Sequence, residues 1–281
     1  MRTIFFDEIK NKVKDLCLQA NCSLPSDIRK DLIEKQKLEE SLIGKNILSE
    51  LILNSTIAQT ESIPLCQDTG VCVFFVEQGV DVKIEGGTLY EALNEGVAEG
   101  YKDHFLRKSI VRDPLFDRVN TNDNTPAIVH LELVSGDKLK ITLAPKGAGS
   151  ENMSALRMLK PYEGKAGVLN FILETVLKSG GNSCPPLIVG VGIGGNLEHS
   201  CYLAKKALLK NVAEKNPDKN YADFEDEIMD HLNASGIGPS GLGGTTTALA
   251  VHILTHPCHM ASLPVAVNLN CNSARHASVI I

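Results

Sequence analysis

The stretch Ser62–Gly70, "SIPLCQDTG", followed at once by Val71–Val76, "VCVFFV", is where the pattern of the chain changes. Before it, Phe5, Ile9, Val13, Leu16 and Ala20 recur at helical spacing. After it, a short apolar run reads as a buried strand. The loop between them is unusual. It sets a cysteine beside an amide, a carboxylate and a hydroxyl, after a proline and before a glycine. A core strand would not use three polar side chains in a row, and an ordinary surface turn has little use for the cysteine.

Upstream of the loop, "SLPSD" breaks the helical pattern, with Ser26 as an N-cap for a second helix. Leu42, Ile43, Ile47, Leu51 and Ile52 form a further apolar stripe. Residues 1–60 therefore read as a helical N-terminal subdomain.

Downstream, Glu85–Gly87 form a turn and Thr88 opens a helix to about Phe105, before a long polar connection at 106–126. Residues 127–134 and 138–143 read as a hairpin around "SGD". In its second half Leu139, Ile141 and Leu143 alternate with Lys138, Lys140 and Thr142, so one face is buried. The glycine-rich loop "APKGAGSENMS" (144–154) follows, then a helix over 165–178. "CPPLIVGVGIGG" (184–195) carries a strand at 187–191, and a helix spans 197–213. Residues 214–235 are charged and helical. "GIGPSGLGGTTT" (236–247) is a second glycine-rich loop, read as leading into an apolar helix that ends near His252, and a strand lies at 263–269. The expected fold class is α/β (mixed α+β), a helical subdomain at 1–60 followed by an α/β body at 61–281.

The chain has 281 residues, enough for one large domain or a domain with a smaller appendage. Aromatics are 5% and tryptophan is absent, so the core must be aliphatic. The net charge is −6 with no block of lysine and arginine, which excludes the electrostatic footprint of a nucleic-acid partner. The start of the chain lacks a secretory apolar stretch, and no run reaches the roughly 18 apolar residues of a membrane span. A cytoplasmic location without a membrane partner is expected. Cysteines stand at 17, 22, 66, 72, 184, 201, 258 and 271. In a chain of this length without an export signal they are expected as thiols or metal ligands rather than disulfides. No C-x-x-C pair occurs, which argues against a zinc ribbon, a thioredoxin site or a ferredoxin-type run.

Four constellations could carry chemistry. Gly190, Gly192 and Gly195 fit G-x-G-x-x-G after a strand and before a helix, but the region where a ribose-binding acid should follow reads as turn and helix. Tight strand-to-helix packing is the structural alternative to a nucleotide site. The loop 236–247 could offer backbone N–H groups to an anion, though it lacks the P-loop lysine; the alternative is a sharp turn with Thr245 capping a helix. His252, His256, Cys258, His259, Cys271 and His276 are zinc-ligand types at no familiar zinc spacing. Finally, Cys66, Cys184 and Cys271 each sit at a loop or strand end beside small, polar or proline residues. Three thiolates can hold three irons of a cubane and leave the fourth open as a Lewis acid; three buried structural thiols are the alternative.

At these three loops the chain resembles the class I, iron–sulfur fumarate hydratases and the related L-tartrate dehydratases. "PLCQDTG" (64–70), "GNSCPP" (181–186) leading into "VGVGIGG", and "NCNSARH" (270–276) preceded by "SLPVAV" are similar to the family's three cluster loops, in the same order. The resemblance implies that Cys66, Cys184 and Cys271 ligate a 4Fe–4S cluster, making 61–281 a cluster-binding body. It implies that Gln67 and Asp68 face the substrate, with Asp68 a catalytic residue that orients a base or accepts its proton. Arg107 matches a substrate-carboxylate arginine, with Arg112 a nearby competitor. Gly149 matches a loop whose backbone contacts substrate, and His259 an active-site histidine. The five remaining cysteines have no matching role and are expected to be structural. The implied activity is that of a fumarate hydratase α subunit, with an L-tartrate dehydratase α subunit as the second reading. Single-chain relatives carry a further region that supplies the base, so a separate, smaller β subunit is expected, within an α2β2 assembly built on a homodimer. A nucleotide-binding oxidoreductase or non-catalytic binding domain using the 190–195 loop is the alternative from another class.

Overall fold

The computed structural model describes residues 1–281. In chain order the elements are β1 (Arg2–Phe5), α1 (Phe6–Cys22), α2 (Ser26–Leu38), α3 (Leu42–Glu61), β2 (Val71–Gly79), β3 (Val82–Glu85), α4 (Leu89–Asp103), β4 (Ile128–Val134) and β5 (Leu139–Lys146). There follow α5 (Ala148–Glu151), β6 (Ala155–Leu159), α6 (Gly164–Ser179), β7 (Leu187–Gly194), α7 (Leu197–Ala207), α8 (Lys219–Asn233), β8 (Ala248–His256), β9 (Leu263–Asn270) and β10 (Ala277–Ile280). The fold class is mixed α/β, as expected. Two compact units emerge: Met1–Pro25, Ser55–Ala148 and Arg275–Ile281 form the first, and Ser26–Asn54 with Gly149–Ala274 the second. The first 60 residues are helical apart from β1, which the periodicity did not reveal. Of their helices, α1 belongs to the first unit and α2 to the second. No helix is long and apolar enough to cross a membrane.

The first unit is a four-stranded sheet in the order β10-β5-β2-β4, carrying α1 and α4 on one face, beside the parallel pair β1–β3. Strand β2 is central because its apolar run can be buried on both sides: Phe74 and Val76 enter the core under α1 and α4, while Val73 and Phe75 are buried on the opposite face. Helix α4 starts as the sequence predicts. The Thr88 side chain accepts from the Glu91 N–H, and the Glu91 carboxylate accepts from the Thr88 N–H, a capping box. The expected hairpin at 127–143 does not form. Strand β2 pairs in parallel with β4 and antiparallel with β5, so it lies between them, with Phe75 opposite both His130 and Thr142. The alternation in β5 does bury Leu139, Ile141 and Leu143. Alternation assigns a face, but it says nothing about which strand is the neighbour.

The second unit is a four-stranded sheet in the order β6-β9-β7-β8. All eight residues of β7 are buried, as suits a strand covered on both faces. The expected apolar helix before His252 is instead strand β8, parallel to β7. A short apolar run that is buried all round has no distinguishing period. The helix expected over 197–213 stops at Ala207.

Candidate functional site

In the first unit the polar loop is tied down at almost every residue. The Leu65 N–H donates to Asn21 O at 2.9 Å. The Asp68 N–H faces Cys66 Sγ at 3.4 Å, and the Cys66 thiol points at Gln67 Oε1 at 3.3 Å. The Asp68 carboxylate accepts from the Gly70 N–H (3.0 Å) and the Ala148 N–H (2.8 Å), so both its oxygens are engaged by main chain. Arg275, 4% exposed, donates through Nη2 to Asp68 O, while its Nε and Nη1 have no partner. Thr69 Oγ1 donates to Arg107 O at 2.8 Å. That bond fixes the Arg107 main chain beside the loop and leaves its side chain exposed. Arg112 is held elsewhere, by its N–H to Val119 O at 2.9 Å in a small bridged excursion. Of the two arginines, only Arg107 is joined to the Cys66 loop by a direct bond. The loop closes at Gly70, whose φ of +73° and whose absent Cβ, which would meet Lys146 C at 2.7 Å, leave room for glycine alone.

In the second unit Cys184 and Cys271 come from adjoining strand ends. Cys184 precedes β7, Cys271 follows β9, and β9 runs antiparallel to β7 with Ile188 opposite Asn270. Asn272 donates both its main-chain N–H and its Nδ2 to Cys184 O, each at 3.0 Å. Cys184 itself has φ +54° and ψ +64°, a conformation that side-chain-bearing residues rarely adopt. Gly149 lies close by: a Cβ there would stand 3.6 Å from Asn182 O.

His259 is not part of this group. It stands on the exposed loop between β8 and β9, three residues after His256, which with Pro257 accepts from the Gly195 N–H just past the end of β7. The eight residues of β7 separate that end of the sheet from Cys184 and Cys271, a span of roughly 23 Å at the strand rise. His259 Nδ1 accepts from the Ala261 N–H at 3.1 Å. The zinc candidates scatter accordingly. His252 is buried in β8, and burial, with the nearby Lys210, takes its imidazole down to about 4, so it is a neutral core residue. The glycines of 190–195 serve packing. A Cβ on Gly190 would meet Ala204 O at 2.1 Å, and one on Gly192 would meet Ser200 O at 2.0 Å, so α7 lies directly on the strand.

The loop 236–247 does bind an anion, and the anion is the chain's own. Glu39, 1% exposed, accepts from the Ser41 N–H (3.0 Å) and Thr245 N–H (2.8 Å) at Oε1, and from the Thr246 N–H (2.8 Å) at Oε2. Thr245 thus caps no helix. Burial pushes this carboxyl up, but those N–H groups and the Thr246 hydroxyl outweigh it and hold it at about 2, against an ordinary 4.5. A depressed folded-state value gives stability that is full above about pH 4.5 and lost as pH falls through about 2, here on the order of 3 kcal/mol. Glu39→Gln is expected to lower the urea stability by about that much at pH 7, with the gap to wild type closing toward pH 2. An equal gap at pH 7 and pH 2.5 would contradict it.

None of the eight cysteines is in a disulfide. Cys17, Cys22 and Cys72 are buried, and the thiols of Cys17 and Cys22 are raised: Cys17 by its hydrogen-bonded neighbour Cys72 and by burial, Cys22 by burial against the pull of Arg275. Protonated core thiols are poor ligands. Cys66 and Cys271 are half-buried and Cys184 is exposed, on polar loops, as soft ligands for iron should be. The donor chemistry therefore fits an iron–sulfur cluster, although no group of three or more His, Cys, Asp or Glu side chains is gathered as a metal site. Sequence reading missed Arg275, Asn272 and Glu39. The first two lie within or beside the Cys271 motif, and that proximity was the available signal. Glu39 gave none, since its partners are 206 and 207 residues away.

A family model described as fumarate hydratase (Fumerase) matches residues 10–280. The chain is 42% identical over 274 residues to a Methanocaldococcus jannaschii protein described as "Putative L(+)-tartrate dehydratase subunit alpha", covering 96% of each chain. It is 32% identical over 262 residues to the L(+)-tartrate dehydratase subunit alpha of Escherichia coli O157:H7, covering 92% of this chain and 86% of that one. The same identity and coverage hold for the protein of that name from E. coli strain K12.

Proposed function

The chain belongs to the fumarate hydratase (Fumerase) family, and from that premise we propose that it is the cluster-bearing α subunit of a cytoplasmic class I hydro-lyase that interconverts fumarate and (S)-malate. The observation that carries the reading is the pair of bonds from Asn272 to Cys184 O, which joins two of the three cysteine loops that the family resemblance singles out. Cys66, Cys184 and Cys271 would hold a 4Fe–4S cluster. When bound, its open iron supplies a Lewis acid for the substrate hydroxyl.

The chain's own residues handle the rest of the substrate. Malate dehydration removes a poorly acidic proton next to one carboxylate and expels hydroxide from the neighbouring carbon. The Arg107 guanidinium suits a carboxylate because its planar fork can meet both oxygens. Gln67 can donate without adding charge, and the main chain at Gly149 adds a contact. Asp68, with an N–H group on each oxygen, ties the loop to Gly70 and Ala148 and could orient a base. The base is assigned to a smaller β subunit, in keeping with relatives that are named as α subunits. Because His259 stands at the far end of β7 from Cys184, we assign its contact to the site of a second copy within an α2β2 assembly.

L(+)-tartrate is the second reading, favoured by the names of the relatives. The test is to load this chain with its cluster anaerobically, add the candidate partner, and compare turnover of malate and L-tartrate. Malate turnover that needs both chains is expected. A clear preference for tartrate would replace the substrate assignment, and full activity of the chain alone would overturn the split site.

A further inference from the structure

The tip of the loop 236–247 lies against the turn that carries Cys184. The Ser240 N–H donates to Pro185 O at 2.8 Å. Gly241, at φ +74°, comes so close to Gly181 that a Cβ would stand 2.4 Å from its Cα. Cys184 in turn donates its N–H to Gly181 O at 3.0 Å, and Asn272 closes on Cys184 O from the Cys271 side. The other end of the loop is the Glu39 clamp. Two glycines make room for that carboxylate: a Cβ on Gly44 would reach Glu39 Cδ at 2.9 Å, and one on Gly244 would reach Glu39 Oε1 at 2.6 Å. The connection from Glu39 to Cys184 is thus a continuous series of main-chain bonds and backbone contacts, with no flexible side chain except the carboxylate itself.

We propose that Glu39 is a positioning residue for the Cys184 turn: its buried carboxylate holds the loop 236–247, and the tip of that loop holds residues 181–185 in the geometry from which Cys184 presents its sulfur. The inference rests on the reading of Cys184 as a cluster ligand. It adds that ligand placement depends on a carboxylate in the α2–α3 connection, far away in sequence. A buried carboxylate must be hydrogen-bonded, and two of the three main-chain N–H groups that satisfy this one come from the loop 236–247, so the carboxylate cannot be removed without freeing that end of the loop.

The test uses the full chain in two forms. On the iron-free chain, amide hydrogen exchange is followed in wild type, Glu39→Gln and Gly241→Ala. Glu39→Gln is expected to speed exchange at Ser240, Cys184 and Asn272 by about tenfold or more, with Phe74 in β2 unchanged. Gly241→Ala leaves the carboxylate in place and pushes the loop tip off Gly181. It should speed exchange at Cys184 and Asn272 while Thr245 and Thr246 stay protected. On the anaerobically loaded chain, both variants should release iron to a chelator about tenfold faster and alter the paramagnetic line shape of the reduced cluster. If Glu39→Gln does not fold, Gly241→Ala decides. Wild-type exchange at Cys184 and Asn272 in a folded variant, with wild-type iron release, overturns the proposal. A wild-type chain that takes up no iron would instead refute the cluster reading, and the exchange arm would still report on the coupling.

Discussion

Replacing Cys66, Cys184 or Cys271 singly with serine is expected to abolish stable iron binding, whereas serine at Cys17, Cys22, Cys72, Cys201 or Cys258 is expected to leave it intact. A serine hydroxyl is a hard, neutral donor in place of a soft thiolate, and a cluster held by three protein sulfurs loses a corner when one is removed. The contrast with Cys72 is the informative one. Cys72 is fully buried in the first unit's core beside Cys17, so a serine there leaves a hydroxyl to be satisfied and costs about 1–3 kcal/mol of stability. Iron content should nevertheless remain that of the wild type. A variant less stable than wild type that keeps its iron, beside Cys184→Ser that stays folded and loses it, separates a ligand role from a packing role. Loss of iron from Cys72→Ser at a temperature where it is folded would contradict the assignment.

Mixing two inactive variants is expected to restore activity. Chains carrying His259→Asn keep all three cysteines, and chains carrying Cys184→Ser keep the histidine. If His259 serves the site of a second copy, a mixed dimer has one complete site: the cluster of the first chain with the histidine of the second. Random pairing makes half of the dimers mixed, each with one working site of two, so about one quarter of wild-type activity should return. Two observations motivate this result: the separation of His259 from Cys184 and Cys271 by the length of β7, and the exposure of the loop that carries it. No recovery on mixing would mean that His259 acts on its own chain or not at all. Full activity of His259→Asn alone would remove it from the site.

The parts of this structure that were legible in the sequence are those in which the signal is local. Thr88 marked the start of α4 because an N-cap is a local signal, and the structure adds Glu91, three residues on, as the other half of a capping box. The polar character of Cys66–Gly70 marked a loop that a core could not absorb, and two of its polar side chains tie it to the fold: Asp68 to Gly70 and Ala148, Thr69 to Arg107. What could not be read were the neighbours. Leu139, Ile141 and Leu143 revealed their buried face but not that β2, some sixty residues earlier, would take the place of β4 beside them. The run before His252 was read as a helix because an edge strand covered on both faces has neither the two-residue nor the 3.6-residue period. The loop 236–247 was legible as an anion binder, but the anion, Glu39, lay too far away in sequence to be identified. His259 was assigned by its motif, and only the antiparallel register of β7 and β9 reveals how far from Cys184 that motif runs.

The central claim is that three loop cysteines of this chain hold a cluster with one open iron. It is tested most directly by iron and acid-labile sulfide analysis of the full chain purified and reconstituted without oxygen. About four irons and four sulfides per chain are expected, with the visible absorption bleaching in air because the iron without a protein ligand is exposed. A wild-type chain that stays folded under these conditions and binds no iron would contradict the account.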